Sequence, residues 1–251
     1  MEEKLFIISK PSGYELHCSL FSGNHEKLLI WCHGGLGDRY EHGRFSYAAK
    51  KLINEGYDSV LFDFSGAGKN ERTPITNEKM ISDLEEIWKW GHGQYAVQTT
   101  IGLSIGGLIS LIAELPNRPC AVFWSPAFFL EKTLGPLIRG IAKTRLFISS
   151  KPIKIKPATG GDHLQIDQTF INGLTKFDVK PYLQKFSTPA LIVQGSKDIV
   201  VRPKNTTIAY NLMPSGCKHY LEFVDGAPHD FRGKFVDEYI KYTLDFLNEN
   251  L

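Results

Sequence analysis

The segment Gly102-Leu103-Ser104-Ile105-Gly106-Gly107 is where a nucleophile could sit. The pattern is G-x-S-x-G, and it stands between an apolar run that ends at Leu103 and a helical pattern that starts at Ile105. A tight strand-to-helix turn of this kind holds a serine hydroxyl proud of a sheet. The flanking glycines let neighbouring backbone pass with no Cβ in the way. The helix start directs unpaired N–H groups toward developing negative charge. Ser104 is therefore a candidate nucleophile. The competing reading is a plain strand-to-helix turn made of small residues.

Three further segments supply what such a nucleophile needs. His33-Gly34-Gly35-Leu36-Gly37 follows an apolar run and has the H-G-G form of a loop that gives a second oxyanion donor. The expected donors are the backbone N–H groups of Gly35 and Ile105, with His33 bracing the loop. Gln194-Gly195-Ser196-Lys197-Asp198 ends another apolar run, where a carboxylate can fix the tautomer of an imidazole and stabilise its charged form. Asp198 is the candidate acid. Asp225 also ends a strand pattern and competes for the role, but it lies only a few residues before the candidate base. That base is His229, in the loop Gly226-Ala227-Pro228-His229-Asp230-Phe231. The other histidines fall in strand patterns or in polar, turn-like stretches.

These residues must be positioned by elements, and the hydrophobic pattern supplies them. Leu5–Ser9 and Leu16–Leu20 alternate around Pro11-Ser12-Gly13, which predicts an antiparallel hairpin at a sheet edge. Lys27–Cys32 is nearly continuous in apolar residues, as in a strand buried on both faces. Helix patterns cover Phe45–Glu55, closed by Gly56, and Asn77–Trp90, and strand patterns cover Ser59–Phe64 and Gln98–Leu103. The alternation continues with helix Ile105–Leu115, stopped by Pro116, and strand Cys120–Trp124. It resumes with strand Ala190–Gln194, helix Lys204–Met213, strand Tyr220–Val224 and helix Phe235–Leu247. This rhythm predicts an α/β fold with a mostly parallel eight-stranded sheet flanked by helices. The stretch between breaks the rhythm. It holds a helix pattern at Leu134–Phe147 and a hairpin pattern around Thr159-Gly160-Gly161-Asp162, with Ile153–Lys156 and Leu164–Ile166 as its arms. The expected organisation is a core over 1–127, a lid insertion over 128–185 after the sixth strand, and the rest of the core over 186–251.

Bulk properties narrow the class. A chain of 251 residues, 42% apolar, can bury one full core. A net charge of +2 with no basic run gives no support to nucleic-acid binding. The start, MEEKLFIISK, lacks the features of a signal peptide, and no apolar run is long enough to span a bilayer. The scattered cysteines (Cys18, Cys32, Cys120, Cys217) form no CxxC pair and suggest a cytoplasmic, reduced protein. Neither H-x-H nor H-E-x-x-H occurs, so the chemistry is expected to need no metal or organic cofactor.

Over essentially its whole length the sequence resembles the α/β-hydrolase superfamily. It is most similar to the lidded lineage of monoacylglycerol lipases and bacterial cinnamoyl (feruloyl) esterases. The resemblance is carried by the Ser104, Asp198 and His229 segments, whose order in the chain is that of the fold. It is carried too by the Gly35 loop and by Asp63-Phe64-Ser65-Gly66-Ala67-Gly68-Lys69-Asn70, similar to the group's D-x-x-G-x-G-x-S segment. The chain has Leu103 where many relatives have His, and Asn70 where they have Ser. The resemblance implies a serine hydrolase that cleaves a carboxylic ester of a small or medium acyl substrate through an acyl-enzyme. Leu36, Trp124, Phe128 and Phe129 are candidates for the acyl pocket, with core packing an equal alternative for the aromatic residues. The segment from Phe128 to Asp178 holds eight Lys/Arg against four Asp/Glu, which could favour an anionic substrate. A thioesterase or acyltransferase acting on CoA- or carrier-bound acyl groups, a peptidase, and a non-catalytic ligand-binding member of the fold are the rival readings. The expected partner is a small ester or acyl molecule, and a homodimer is compatible with the sequence.

Overall fold

The computed structural model of the chain describes residues 2–35, 37–132, 153–155, 164–166 and 177–251. Ten strands occur in it: β1 (Glu3–Ser9), β2 (Glu15–Phe21), β3 (Lys27–Cys32), β4 (Tyr57–Phe62), β5 (Val97–Leu103), β6 (Ala121–Trp124), β7 (Ile153–Ile155), β8 (Leu164–Ile166), β9 (Ala190–Gly195) and β10 (His219–Val224). The described helices are α1 (Arg44–Leu52), α2 (Asn77–His92), α3 (Ile105–Ile112), α4 (Lys180–Lys185), α5 (Pro203–Leu212) and α6 (Lys234–Asn250).

Eight strands form one sheet in the order β1-β2-β4-β3-β5-β6-β9-β10. The first two make the expected antiparallel edge hairpin, and β2 also runs antiparallel to β4. From β4 to β10 every pairing is parallel. The central strands β3, β4, β5, β6 and β9 are buried almost throughout, which explains their unbroken apolar sequences. Two apolar clusters sandwich the sheet. One gathers residues of α2, α3 and α5 with Phe128, Leu130, Val179, Leu183 and Phe186. The other gathers α1 and α6 around Trp31, Phe45, Trp124 and Tyr239.

Two of the boundaries that differ from the pattern do so for reasons outside the element. Strand β4 ends at Phe62 because Asn70 takes the other half of the next pair: Asp63 N–H still donates to the His17 carbonyl in register, but the His17 N–H and the Asp63 carbonyl bond the Asn70 side chain, and Phe64 N–H turns away to His33 Nε2. Helix α3 ends at Ile112, short of Leu115. The Arg118 guanidinium takes the Ser110 carbonyl at 2.6 Å, the acceptor that the Glu114 amide would need to continue the helix.

The expected hairpin is present as the antiparallel pair β7–β8, and Gln165 of β8 accepts a backbone hydrogen bond from Ile75. The helix expected at 134–147 lies outside the described residues, as does the hairpin turn. Both ends of the stretch expected as a lid are packed into the first cluster, Phe128 to Leu130 on one side and Val179, Leu183 and Phe186 on the other. Among the described residues no helix is long and apolar enough to cross a membrane. Cys18, Cys32 and Cys120 are buried and Cys217 is partly exposed, all as free thiols.

Candidate active site

The sheet register brings the candidate residues to one edge. Cys32 pairs with Gly102, Leu103 with Trp124, and Val224 with Gly195, so the loops after β3, β5, β9 and β10 leave the sheet side by side. The strand order also reverses at β3: the chain passes from β3 to β4 on one side and then crosses back to β5 on the other. Such a reversal opens a crevice beyond the carboxyl ends of the strands.

Ser104 occupies the turn between β5 and α3 with φ 53 and ψ −117. A non-glycine residue in this region costs on the order of 1–3 kcal/mol and persists only where its surroundings impose it. Here the surroundings are explicit. Ser104 N–H donates to the Trp124 carbonyl at 3.0 Å, and its own carbonyl accepts from Ala127 at 2.9 Å and from Gly107 at 3.1 Å. A Cβ at Gly102 would stand 2.6 Å from the Gly106 oxygen, and one at Gly106 would collide with the Cys32 and His33 carbonyls. The turn is thus closed on the strand beside it, and only glycine fits.

The loop after β3 is fixed by His33, which is 1% exposed. Phe64 N–H donates to His33 Nε2 at 3.0 Å, so the ring proton sits on Nδ1, which donates to the Gly34 carbonyl at 2.7 Å. A trans peptide is planar, so a pinned Gly34 carbonyl sends the Gly35 N–H in the opposite direction. Among the described residues that N–H meets no acceptor. Gly35 packs directly on the Ile105 side chain, whose Cδ1 a Cβ there would have to displace, and Ile105 is the first residue of α3, whose amide has no partner within the helix. The two expected donors are therefore neighbours.

Asp198, 3% exposed, is held on both oxygens. Oδ1 accepts from the Val200 and Val201 amides at 2.9 and 2.8 Å. Oδ2 accepts from Gln194 Nε2 at 3.1 Å and faces His229 Nδ1 at 2.7 Å. An ionised carboxylate only accepts, so His229 Nδ1 carries the proton and Nε2 is left as a lone-pair base. Gln194 is itself aimed by Thr206, whose hydroxyl donates to the amide oxygen at 2.7 Å. The two loops are stitched together by the Lys197 amide on the Ala227 carbonyl at 3.0 Å. Asp225, the rival acid, is engaged elsewhere. It accepts from Ser196 Oγ at 3.0 Å.

A second carboxylate organises the entry side. Asp63, fully buried, forms an ion pair with Arg39 and accepts from the Arg39 amide at 2.7 Å and the Lys69 amide at 2.9 Å. Asn70 donates to the Asp63 carbonyl at 2.6 Å and accepts from His17 N–H at 2.9 Å. The segment from Asp63 to Asn70 is thereby a scaffold for the loop after β3. Sequence reading missed Gln194, Thr206 and Arg39. Their neighbours in the chain carry no signal for them: Gln194 ends an apolar run, and Arg39 and Thr206 stand among polar residues.

The pocket candidates separate. Phe128 and Phe129 line a cavity of about 260 Å³ with Phe177, Val179 and the charged pairs Glu131/Lys132 and Asp178/Lys180. Trp124 is a correction. Its ring lies fully buried among Trp31, Phe45, Phe231 and Tyr239, and its indole N–H donates to Thr243 of α6 at 2.9 Å, so it packs the α1/α6 face of the sheet. Leu36 lies outside the described residues. Among the described residues no cluster of His, Cys, Asp and Glu could hold a metal ion.

A family model described as "Serine aminopeptidase, S33" matches residues 23–173, more than half of the chain. Among solved structures the chain is similar to Est1E from Butyrivibrio proteoclasticus with ferulic acid bound, at 18% identity, covering 98% of each chain with a TM-score of 0.76. It is similar to the Pyrococcus furiosus esterase Pf2001 at 22% identity, covering 99% of this chain and 91% of that one, TM-score 0.78. It also resembles DcsB in complex with a substrate analogue at 16% identity, covering 100% of both, TM-score 0.80. At these identities the likeness is one of fold, and that fold is the α/β-hydrolase fold. Among proteins of curated function no sequence match reaches significance.

Proposed function

Since this chain belongs to the hydrolase family described as serine aminopeptidase, S33, we propose that it is a serine hydrolase that cleaves a carboxylic ester, with Ser104 as nucleophile, His229 as base and Asp198 as the orienting acid. The observation that carries this reading is the His229 Nδ1–Asp198 Oδ2 hydrogen bond of 2.7 Å at the same sheet edge as the strained Ser104 turn.

In the proposed cycle, His229 Nε2 takes the Ser104 proton as Oγ adds to the carbonyl carbon. The oxyanion is met by the Gly35 and Ile105 N–H groups, while Asp198 stabilises the imidazolium. Collapse breaks the bond to the leaving oxygen, which receives the proton from His229. Water then gives a proton to His229 and attacks the acyl-enzyme, and collapse breaks the bond to Ser104 Oγ, which receives that proton back from His229. Phe128 and Phe129, which line the cavity of about 260 Å³, are the proposed acyl-side residues, and residues 128–185 are the proposed lid. The description of the family as an aminopeptidase supports a second reading, in which the scissile bond is an amide.

The test is labelling by a fluorophosphonate probe read by intact mass, followed by turnover of p-nitrophenyl esters and aminoacyl p-nitroanilides. We expect one probe per chain, no labelling of Ser104→Ala, and turnover of the esters. Anilide turnover above ester turnover would replace the first reading by the second. A wild-type protein that neither labels nor turns over would refute both.

A further inference from the structure

Three consecutive residues before α1 have left-handed backbone: Glu41 at φ 48, His42 at φ 56 and Gly43 at φ 87. Two of the three carry a Cβ, and such runs are rare because that conformation is costly for L-residues. The turn has a visible product. It folds the Glu41 carboxylate inward, beneath the loop after β3, where Oε1 accepts the Gly34 N–H. A Cβ at Gly34 would stand 3.1 Å from that oxygen and one at Gly37 2.5 Å from it, so the loop is wrapped around the carboxylate.

The other carboxylate oxygen reaches Arg44. Oε2 accepts from Arg44 Nη2 at 2.8 Å, and Arg44 Nε donates to the Glu41 carbonyl at 3.0 Å. The same guanidinium lies 3.3 Å, through Nη1, from Asp230 Oδ1 and 5.0 Å from the centre of the Phe231 ring. Both Glu41 and Arg44 side chains are buried, at 5% and 8% exposure. Arg232 holds the far oxygen of Asp230 at 2.7 Å. A continuous path therefore runs from the residue before Gly35 to the residue after His229.

A buried ion pair is a poor way to gain stability, since desolvation offsets most of the attraction. Here it sits beside a strained turn and touches two loops that meet at the reaction centre. We propose that Glu41 is a positioning residue, acting with Arg44 to hold the oxyanion loop and the His229 loop in one fixed relation. The proposal rests on the roles assigned above to Gly35 and His229.

The experiment compares Glu41→Ala, Glu41→Gln, Arg44→Met and the double variant Glu41→Ala/Arg44→Met, using the p-nitrophenyl ester best turned over by the wild type, with thermal melts alongside. Displacing a reacting group by about an ångström costs on the order of a hundredfold. We expect Glu41→Ala and Arg44→Met each to lower kcat by roughly ten- to a hundredfold with KM within about twofold. Glu41→Gln, which keeps an acceptor for the Gly34 amide, recovers part of the loss. The double variant is no slower than the worse single, because both act through one path. Wild-type kcat in folded Glu41→Ala, or losses that multiply in the double variant, would overturn the proposal. Should Glu41→Ala not fold, Glu41→Gln and Arg44→Met carry the same comparison. If the wild type has no hydrolase activity, the reading of the site fails, and the coupling is decided by hydrogen exchange. Faster exchange of both 33–37 and 229–231 in Glu41→Gln supports it, and a change confined to one segment refutes it.

Discussion

At the scale of single residues, two acids end neighbouring strands and only one faces the base. Asp198 meets His229, while Asp225 is occupied by Ser196. Replacing Asp198 by Asn keeps the shape but lets the amide donate toward Nδ1, which favours the wrong imidazole tautomer. For the proposed triad the cost is roughly 10⁴-fold in kcat. Asp198→Asn is expected to show that loss in ester turnover, and Asp225→Asn to stay within about twofold of wild type, since it touches neither the base nor the nucleophile. The reverse pattern would exchange the two assignments. Ser104, Asp198 and His229 could be proposed from the sequence because each stands in a recognisable local setting. Glu41 and Gln194 could not. Nothing in the residues around Glu41 announces a buried carboxylate, and Gln194 reads as the tail of an apolar strand.

At the scale of elements, the turn from β5 to α3 is the most tightly specified piece of the molecule. Gly102 and Gly106 face each other across it, and Gly106 also faces the end of β3. A methyl group at Gly106 meets two backbone carbonyls that cannot swing away. Gly106→Ala is expected to lower stability by about 1–3 kcal/mol, the usual cost of overpacking, and to reduce fluorophosphonate labelling, because the turn must open to accommodate it. Urea denaturation and labelling rate measure the two effects. Labelling at the wild-type rate would mean that the turn does not position Ser104. The sequence pattern found this element whole, since its glycines and the change of period are local. It misplaced the end of α3, where the deciding group, Arg118, comes from beyond the helix and caps Ser110.

At the scale of the whole molecule, the last strand joins the sheet late in the chain, and His219 marks that junction. Its Nε2 lies 3.0 Å from the Thr188 carbonyl and its ring 6.2 Å from that of Phe186, so β10 is tied to the segment leading into β9. Burial lowers the pKa of His219 from its ordinary value of 6.5, against hydrogen bonds to backbone carbonyls that act the other way. Below about pH 6.5 the unfolded chain therefore takes up a proton that the folded one resists. The stabilising contribution is complete above that pH and is lost as the pH falls through the folded-state value. The thermal midpoint is expected to fall between pH 7.5 and pH 5, and to fall less steeply in His219→Gln. Equal slopes in the two proteins would remove His219 from the cause.

Consecutive residues alone were enough to give the order and type of the elements and the mostly parallel sheet, and to propose three catalytic side chains at its carboxyl edge. These follow from steric and periodic properties of consecutive residues, which act whatever the rest of the chain does. Tertiary structure decided that Trp124 packs against Thr243, that Asp198 rather than Asp225 meets His229, and that Glu41 and Arg44 span the space between the Gly34 and Asp230 loops. Those outcomes depend on which faces of the sheet the helices cover and how the strands are registered. Partners dozens of residues apart in the chain meet only once the sheet has closed, and no local pattern records the meeting.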